Sequence, residues 1–372
     1  MELKDFQKES LGKLDAFLRA ARAGTLAGAF EQVAKPDRPD LFRPYRPLTD
    51  ATAEAPFVCL RLPTGGGKTI LATHAVKTAA EAWLCTDSPL VLWLVPTSMI
   101  RDQTLDALQD AQHPYRQALD DAYKGRVRVL ALSDFAQLRP QDLVSRANVL
   151  IGTLATARVD KTESRRVYDH NEDLEPFFAR GVPDGVELER DPESGKVKFS
   201  FINLLSLVRP LVIVDEASMI DVFLFDSLLQ SIRPGCRLLL VGDADQLPSV
   251  GAGDVLRDLI DSGQVPTARL TRVYRQAEES LIIQYAHRIN QGLLPQLDQT
   301  KDSSFLFIAK ENAETIADAV ARLIEKILPE TYGLDPLQDV FVLTPTRKGS
   351  SGTHALNQRL QRSLLPPQAN RE

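Results

Sequence analysis

Leu62-Pro63-Thr64-Gly65-Gly66-Gly67-Lys68-Thr69 decides the fold of this 372-residue chain. The apolar run Phe57-Val58-Cys59-Leu60 leads into it, and Ile70-Leu71-Ala72 opens a helical pattern behind it. Glycines let the backbone curl until successive N–H groups point inward at one anion, and a helix N-terminus adds the positive end of its dipole. Pro63, Thr64, Gly65, Gly66 and Gly67 form such a loop. Lys68 is then placed to reach the β- and γ-phosphates of ATP, and the Thr69 hydroxyl is a ligand for Mg2+. Leu62 stands where the general pattern has its first glycine. A strand before and a helix after make this a nucleotide site rather than a glycine-rich turn.

Outward from the loop, short apolar runs recur at 57–62, 89–95, 127–132, 148–151, 211–214 and 237–241, with helix-compatible segments between them. That alternation predicts an α/β fold, a P-loop NTPase with a parallel sheet and helices on both faces. In such sheets ligands sit at the carboxyl ends of the strands. Leu3, Phe6, Leu14, Phe17, Leu18 and Ala21 predict an amphipathic helix within 2–23, and the Pro-rich stretch 34–56 reads as a connector. Residues 160–200 break the rhythm and read as an exposed insertion, a hairpin or flexible loop. A helix is expected over 313–328, and Asp339-Val340-Phe341-Val342-Leu343 reads as a strand opening a second α/β unit. The expected division is 1–55 for the N-terminal helix and connector, 56–272 for the ATPase domain, and 273–372 for an incomplete second domain.

Leu211-Val212-Ile213-Val214-Asp215-Glu216 is a buried strand ending in two acids. Two adjacent carboxylates repel unless a cation shares them, so Asp215 is assigned to the Mg2+ site opposite Thr69. Glu216 is placed to orient and deprotonate the attacking water. The next apolar run, Leu238-Leu239-Leu240-Val241, opens onto Gly242-Asp243-Ala244-Asp245-Gln246-Leu247-Pro248-Ser249. Gln246 is positioned there to touch the γ-phosphate. Arg275, in Arg272-Val273-Tyr274-Arg275-Gln276, is a candidate to stabilise transition-state charge, although an arginine on a helix is more often a surface residue.

Composition narrows the setting. Hydrophobic residues at 44 % and charged residues at 25 % are ordinary for a globular protein. A net charge of −6 argues against nucleic-acid binding through global charge, without excluding a local basic groove. No apolar run approaches membrane-spanning length and Met1-Glu2-Leu3-Lys4-Asp5 opens no signal peptide, so a cytoplasmic protein is expected. Cys59, Cys85 and Cys236 lie far apart and read as buried free thiols. The five histidines show no metal-ligand spacing. Lys124, Arg126 and Arg128 form a small basic run, but alternation with Val127 and Val129 favours an ordinary exposed strand face.

Two resemblances refine these expectations. From about 213 to 360 the chain resembles a RecD-type DNA helicase of superfamily one, through Asp215-Glu216-Ala217-Ser218-Met219, Val241 to Gly251, Tyr274-Arg275-Gln276, Ala286-His287-Arg288-Ile289-Asn290 and Leu343-Thr344-Pro345. From about 3 to 216 it resembles the helicase-like ATPase subunit of type III restriction enzymes, through Pro63 to Thr69, Trp93-Leu94-Val95-Pro96-Thr97, Val149-Leu150-Ile151-Gly152-Thr153 and Asn203-Leu204-Leu205. Ser218 stands where the second family has a histidine, and its later coupling motif is absent. The change falls at the acidic pair that both families share, as in a chimera.

Both resemblances imply ATP held between two RecA-like domains, of which this chain carries the first and the start of a second. They imply a DNA helicase or translocase, or alternatively the ATPase of a restriction complex with nuclease or methyltransferase partner subunits. A nucleotide-binding fragment without turnover is the non-enzymatic alternative. DNA contacts are implied for Pro96, Thr97, Gly152, Thr153, Pro248 and Ser249, whose hydroxyl and backbone N–H groups suit phosphate oxygens. Gln7 is implied to read the adenine edge, the alternative being a solvated helix glutamine. Because the chain stops before the second domain's later motifs, slow hydrolysis is expected.

Overall fold

The computed structural model describes residues 3–34, 43–48, 55–61, 67–154, 189–190, 192, 197–198, 210–232, 236–269, 281–295 and 305–365. It divides into two compact units, Met1–Arg275 and Gln276–Glu372.

The first unit is built on a seven-stranded parallel sheet. Its strands are β1 (Phe57–Arg61), β2 (Leu90–Val95), β3 (Val127–Ala131), β4 (Ala147–Thr153), β7 (Leu211–Val214), β8 (Arg237–Gly242) and β9 (Thr267–Arg269), in the order β3-β4-β2-β7-β8-β1-β9. A separate antiparallel pair, β5 (Glu189–Arg190) and β6 (Val197–Lys198), is the hairpin form of the expected insertion, most of which lies outside the described residues. All six predicted apolar runs became strands. β9 was not foreseen, because three residues carry no readable period.

Side chains of β1 alternate between two cores, as the pleat requires. Val58 and Leu60 join Val91, Trp93, Ile151 and Ile213 beneath one layer of helices. Phe57 and Cys59 join Leu92, Leu94, Leu150, Val212 and Leu240 on the other face. The first layer holds α1 (Asp5–Ala23), α2 (Leu26–Ala34), α3 (Lys68–Ala79), α4 (Ser98–Gln109) and α5 (Pro114–Tyr123). Leu14, Phe17 and Leu18 of α1 and Leu71, Ala75 and Val76 of α3 are the buried faces of that layer. The second layer includes α6 (Pro140–Ser145), α7 (Val222–Ser231) and α8 (Val255–Ser262), contributing Leu143, Phe225, Leu228, Leu256 and Ile260. Full burial of Trp93, Phe57 and Leu60 is worth about 2 kcal/mol each in apolar transfer alone.

The sheet draws on both sides of the presumed join. β2 lies between β4 and β7, and β1 lies between β8 and β9, so strands from the two stretches of resemblance interleave. Register places the carboxyl ends of β1, β2, β4, β7 and β8 on one rim: Leu94 pairs with Val214, Val95 with Thr153, and Arg61 with Gly242.

Two expectations are corrected. Asp339 to Leu343 is not a strand: it is a turn followed by irregular chain, with Phe341 91 % and Leu343 94 % exposed. An extended segment needs a neighbour to take its N–H and C=O groups, and the described residues of the second unit contain no strand. They contain α9 (Leu281–Asn290), α10 (Ala313–Arg322), α11 (Leu328–Tyr332) and α12 (Thr353–Leu364), with α10 and α11 joined by a π-helical turn, Leu323–Ile327. Cys85 is exposed and backbone-left-handed (φ 51°) with its Sγ against the Arg22 guanidinium, whereas Cys59 and Cys236 are buried thiols as expected.

Candidate nucleotide site

Every site residue predicted from sequence that the structure describes, apart from Gln7, lies on or just beyond the carboxyl rim of the sheet. Gly67 caps α3 in the left-handed region (φ 75°) and Lys68 begins the helix. A methyl group on Gly67 would stand 2.6 Å from Gln7 Nε2 and 2.9 Å from Ile70 Cγ2, and the left-handed backbone there strains any residue with a Cβ. Gln7 is therefore beside Gly67, and at 5 % exposure it is not a solvated helix residue. Its Oε1 accepts the Lys4 N–H at 3.0 Å, closing the first turn of α1. Pro63, Thr64, Gly65, Gly66 and Arg275 lie outside the described residues.

Lys68 is 9 % exposed, and its ammonium is satisfied by Glu216 Oε2 at 2.7 Å. Thr69 Oγ1 donates to Asp215 Oδ2 at 3.3 Å. Two residues at the start of α3 thus meet two at the end of β7, across the top of β8, which separates β1 from β7. Asp215 is 3 % exposed, and burial, then the neighbouring Glu216 charge, pushes its carboxyl up to about 6. The Glu216 N–H, Lys68 and Thr69 pull in the opposite direction without cancelling it. Glu216 adopts a left-handed backbone (φ 53°), an uncommon conformation for a residue with a Cβ. That turn lets its N–H reach Asp215 Oδ1 at 3.0 Å while its carboxylate swings to Lys68.

The donor set suits magnesium: a hydroxyl and a carboxylate oxygen stand 3.3 Å apart beside an ammonium that favours phosphate. Among the described residues no group of three or more His, Cys, Asp or Glu could hold a metal by itself.

Gln246 lies beyond β8 in a turn where its N–H donates to Asp243 O at 3.2 Å. Asp243, 4 % exposed, accepts the Asp245 N–H on Oδ1 at 3.1 Å. One guanidinium nitrogen of Arg61, the last residue of β1, lies 2.8 Å from both carboxylate oxygens of Asp245. Neither Arg61, Asp243 nor Asp245 was singled out from sequence. A charged residue closing an otherwise apolar strand was the available signal.

The candidate DNA contacts occupy the same rim. Thr97 is exposed and caps α4, its Oγ1 accepting the Ile100 N–H at 3.3 Å, while Pro96 is half-buried. Ser249 Oγ donates to Gly251 O and Gly253 O at 3.0 Å, beside exposed Pro248. Gly152 is buried, and a methyl there would meet Leu132 Cδ2 at 2.7 Å; the half-buried Thr153 follows it at the end of β4. In the basic run, Arg128 pairs with the buried Asp142, which also meets Arg146 Nε at 3.3 Å, and Arg126 is exposed. Arg126 thus lies just before β3 and Arg128 is half-buried, so the run is only in part the exposed strand face expected.

This parallel sheet, with a lysine-threonine helix start facing an acidic strand end, has the α/β fold of a P-loop NTPase. The family described as AAA domain matches residues 48–252, more than half of the chain, and the chain belongs to it. A second AAA domain family matches residues 202–311. The chain is 41 % identical over 156 residues to the ATP-dependent RecD2 DNA helicase of Deinococcus radiodurans, a match covering 42 % of this chain and 20 % of that one. It is 37 % identical over 110 residues to the RecBCD enzyme subunit RecD of Mycobacterium tuberculosis, covering 29 % of this chain and 17 % of that subunit. It thus spans about a fifth of the length of these two relatives. Among solved structures, a nuclease-deletion mutant of the Type ISP restriction-modification enzyme LlaGI in complex with a DNA substrate mimic aligns over 89 % of this chain and 23 % of that one. The two share 13 % identity at a TM-score of 0.32.

Proposed function

We propose that the chain binds ATP with Mg2+ and hydrolyses it as the motor of a DNA helicase or translocase acting in the cytoplasm. The observation that carries the proposal is the convergence of Lys68, Thr69, Asp215 and Glu216 at the rim, joined to the similarity with RecD helicases. No helix among the described residues is long and apolar enough to cross a membrane.

Thr69 and Asp215 would hold the magnesium ion, which neutralises charge on the transferred phosphoryl group when bound. Phosphate oxygens compete with Glu216 for the Lys68 ammonium. Each Lys68–phosphate contact leaves the Glu216 carboxylate free to orient a water and accept its proton. Gln246, on the neighbouring strand end, would touch the γ-phosphate, and Gln7 beside Gly67 would meet the adenine edge. Arg275 is proposed to add positive charge in the transition state, and Thr97, Thr153 and Ser249 to meet a DNA backbone.

ATP hydrolysis by the purified chain, with and without single-stranded DNA, tests this. The expected result is DNA-stimulated turnover that disappears in Lys68→Ala with loss of nucleotide affinity. Glu216→Gln should keep affinity and lose turnover by about a hundredfold or more. Nucleotide binding without turnover would reduce the reading to a binding unit. Absence of nucleotide binding would overturn it, and turnover only with a partner subunit and duplex DNA would point to the restriction-type setting.

A further inference from the structure

The ion pair between Arg61 and Asp245 ties the end of β1 to the turn that carries Gln246. Arg61 is the last residue of β1, immediately before the phosphate loop. Asp245 precedes Gln246 and lies three residues beyond Gly242, the register partner of Arg61. One Arg61 nitrogen is 2.8 Å from both Asp245 oxygens, and the two side chains are 27 % and 40 % exposed. The pair also bridges the two stretches of resemblance, since Arg61 precedes the acidic strand that ends one and Asp245 follows it.

Exposed ion pairs contribute little to stability, so a role in fold stability alone gives this one small weight. Its position gives it another. Asp243 fixes the turn from the strand side, through the Asp245 and Gln246 N–H groups. The Asp245 carboxylate is held from the other side by Arg61, so the turn that presents Gln246 is tied to the chain entering the phosphate loop. We propose that Arg61 and Asp245 are positioning residues, a clamp that registers Gln246 against the γ-phosphate. The inference rests on the nucleotide-site reading and concerns discrimination between triphosphate and diphosphate, not binding as such.

The clamp is tested by binding alone, so turnover is not required. Affinities for ADP and for ATPγS are measured with Mg2+ on the full chain and on Arg61→Ala, Asp245→Asn, Gln246→Ala and the double swap R61D/D245R. Wild type is expected to hold ATPγS about tenfold more tightly than ADP, the worth of one charge-assisted contact. Arg61→Ala and Asp245→Asn should reduce that ratio to within about twofold of unity, as Gln246→Ala does, with ADP affinity and unfolding midpoint little changed. The swap should recover part of the ratio. A wild-type ratio near unity, or single variants that keep the wild-type ratio, would overturn the clamp while leaving the nucleotide site standing. Equal loss of both affinities would also overturn it, as general damage. No affinity of wild type for either nucleotide would instead remove the site reading itself.

Discussion

Asp215 shows most plainly how a buried carboxyl at the rim of the sheet is held at a cost. Its carboxyl sits at 3 % exposure beside a second acid, and its titration is pushed from 3.8 up to about 6. A carboxyl that binds its proton more tightly folded than unfolded loses stability as pH rises from about 4 to about 6. The deficit is then on the order of 3 kcal/mol at neutral pH. Asp215→Asn should therefore unfold at higher denaturant concentration than the parent at pH 7, by about 1–3 kcal/mol, and this gain should shrink at pH 4. The same variant should lose magnesium-dependent nucleotide affinity. A variant less stable than the parent at pH 7 would show that Lys68 and Thr69 compensate the buried charge fully. The left-handed backbone of Glu216 belongs to the same site, since strain of this kind persists where surrounding structure over-determines it.

At the scale of elements, α3 connects the loop to the core. At its start Lys68 and Thr69 meet Glu216 and Asp215, and Leu71, Ala72, Ala75 and Val76 are fully buried against the sheet. His74, between those two duties, has a buried Nε2 with no hydrogen-bond partner. Burial, then the nearby Lys77 charge, lowers its titration below the usual 6.5, against a smaller opposing pull from Asp121. The unfolded chain then binds the proton more tightly, so this contribution to stability is present above pH 6.5 and lost as pH falls below it. Equilibrium unfolding between pH 5 and 7 should show a steeper acid decline in the parent than in His74→Gln. Identical pH profiles would discount the residue. The His74 and Asp215 slopes have opposite signs, so each is read as a difference between variant and parent.

At the scale of the whole molecule, the seven-stranded sheet, both cores and the described site residues fall within Met1–Arg275. Residues 1–275 alone should therefore fold cooperatively and keep nucleotide affinity within about threefold of the full chain. A fragment that is unfolded by circular dichroism, or that has lost nucleotide affinity, would show that the second unit is needed to complete the site.

Sequence by itself determined the sheet, and it supplied the residues of the proposed nucleotide site. Strand interiors such as Val212-Ile213-Val214 are apolar because both faces are covered, and the phosphate loop and the acid pair are local patterns whose chemistry follows from adjacent residues. Tertiary structure decided what adjacency cannot encode. Strand order sets Lys68 against Glu216, 148 positions apart, and Arg61 against Asp245, 184 apart. Close approach to Gln7 and Leu132 explains Gly67 and Gly152, and neither distance has any trace in composition. The chain at Asp339 to Leu343 reads as a strand in isolation and is none in the fold. A strand is a pairing between segments, and its hydrogen-bond partner has to be supplied in three dimensions.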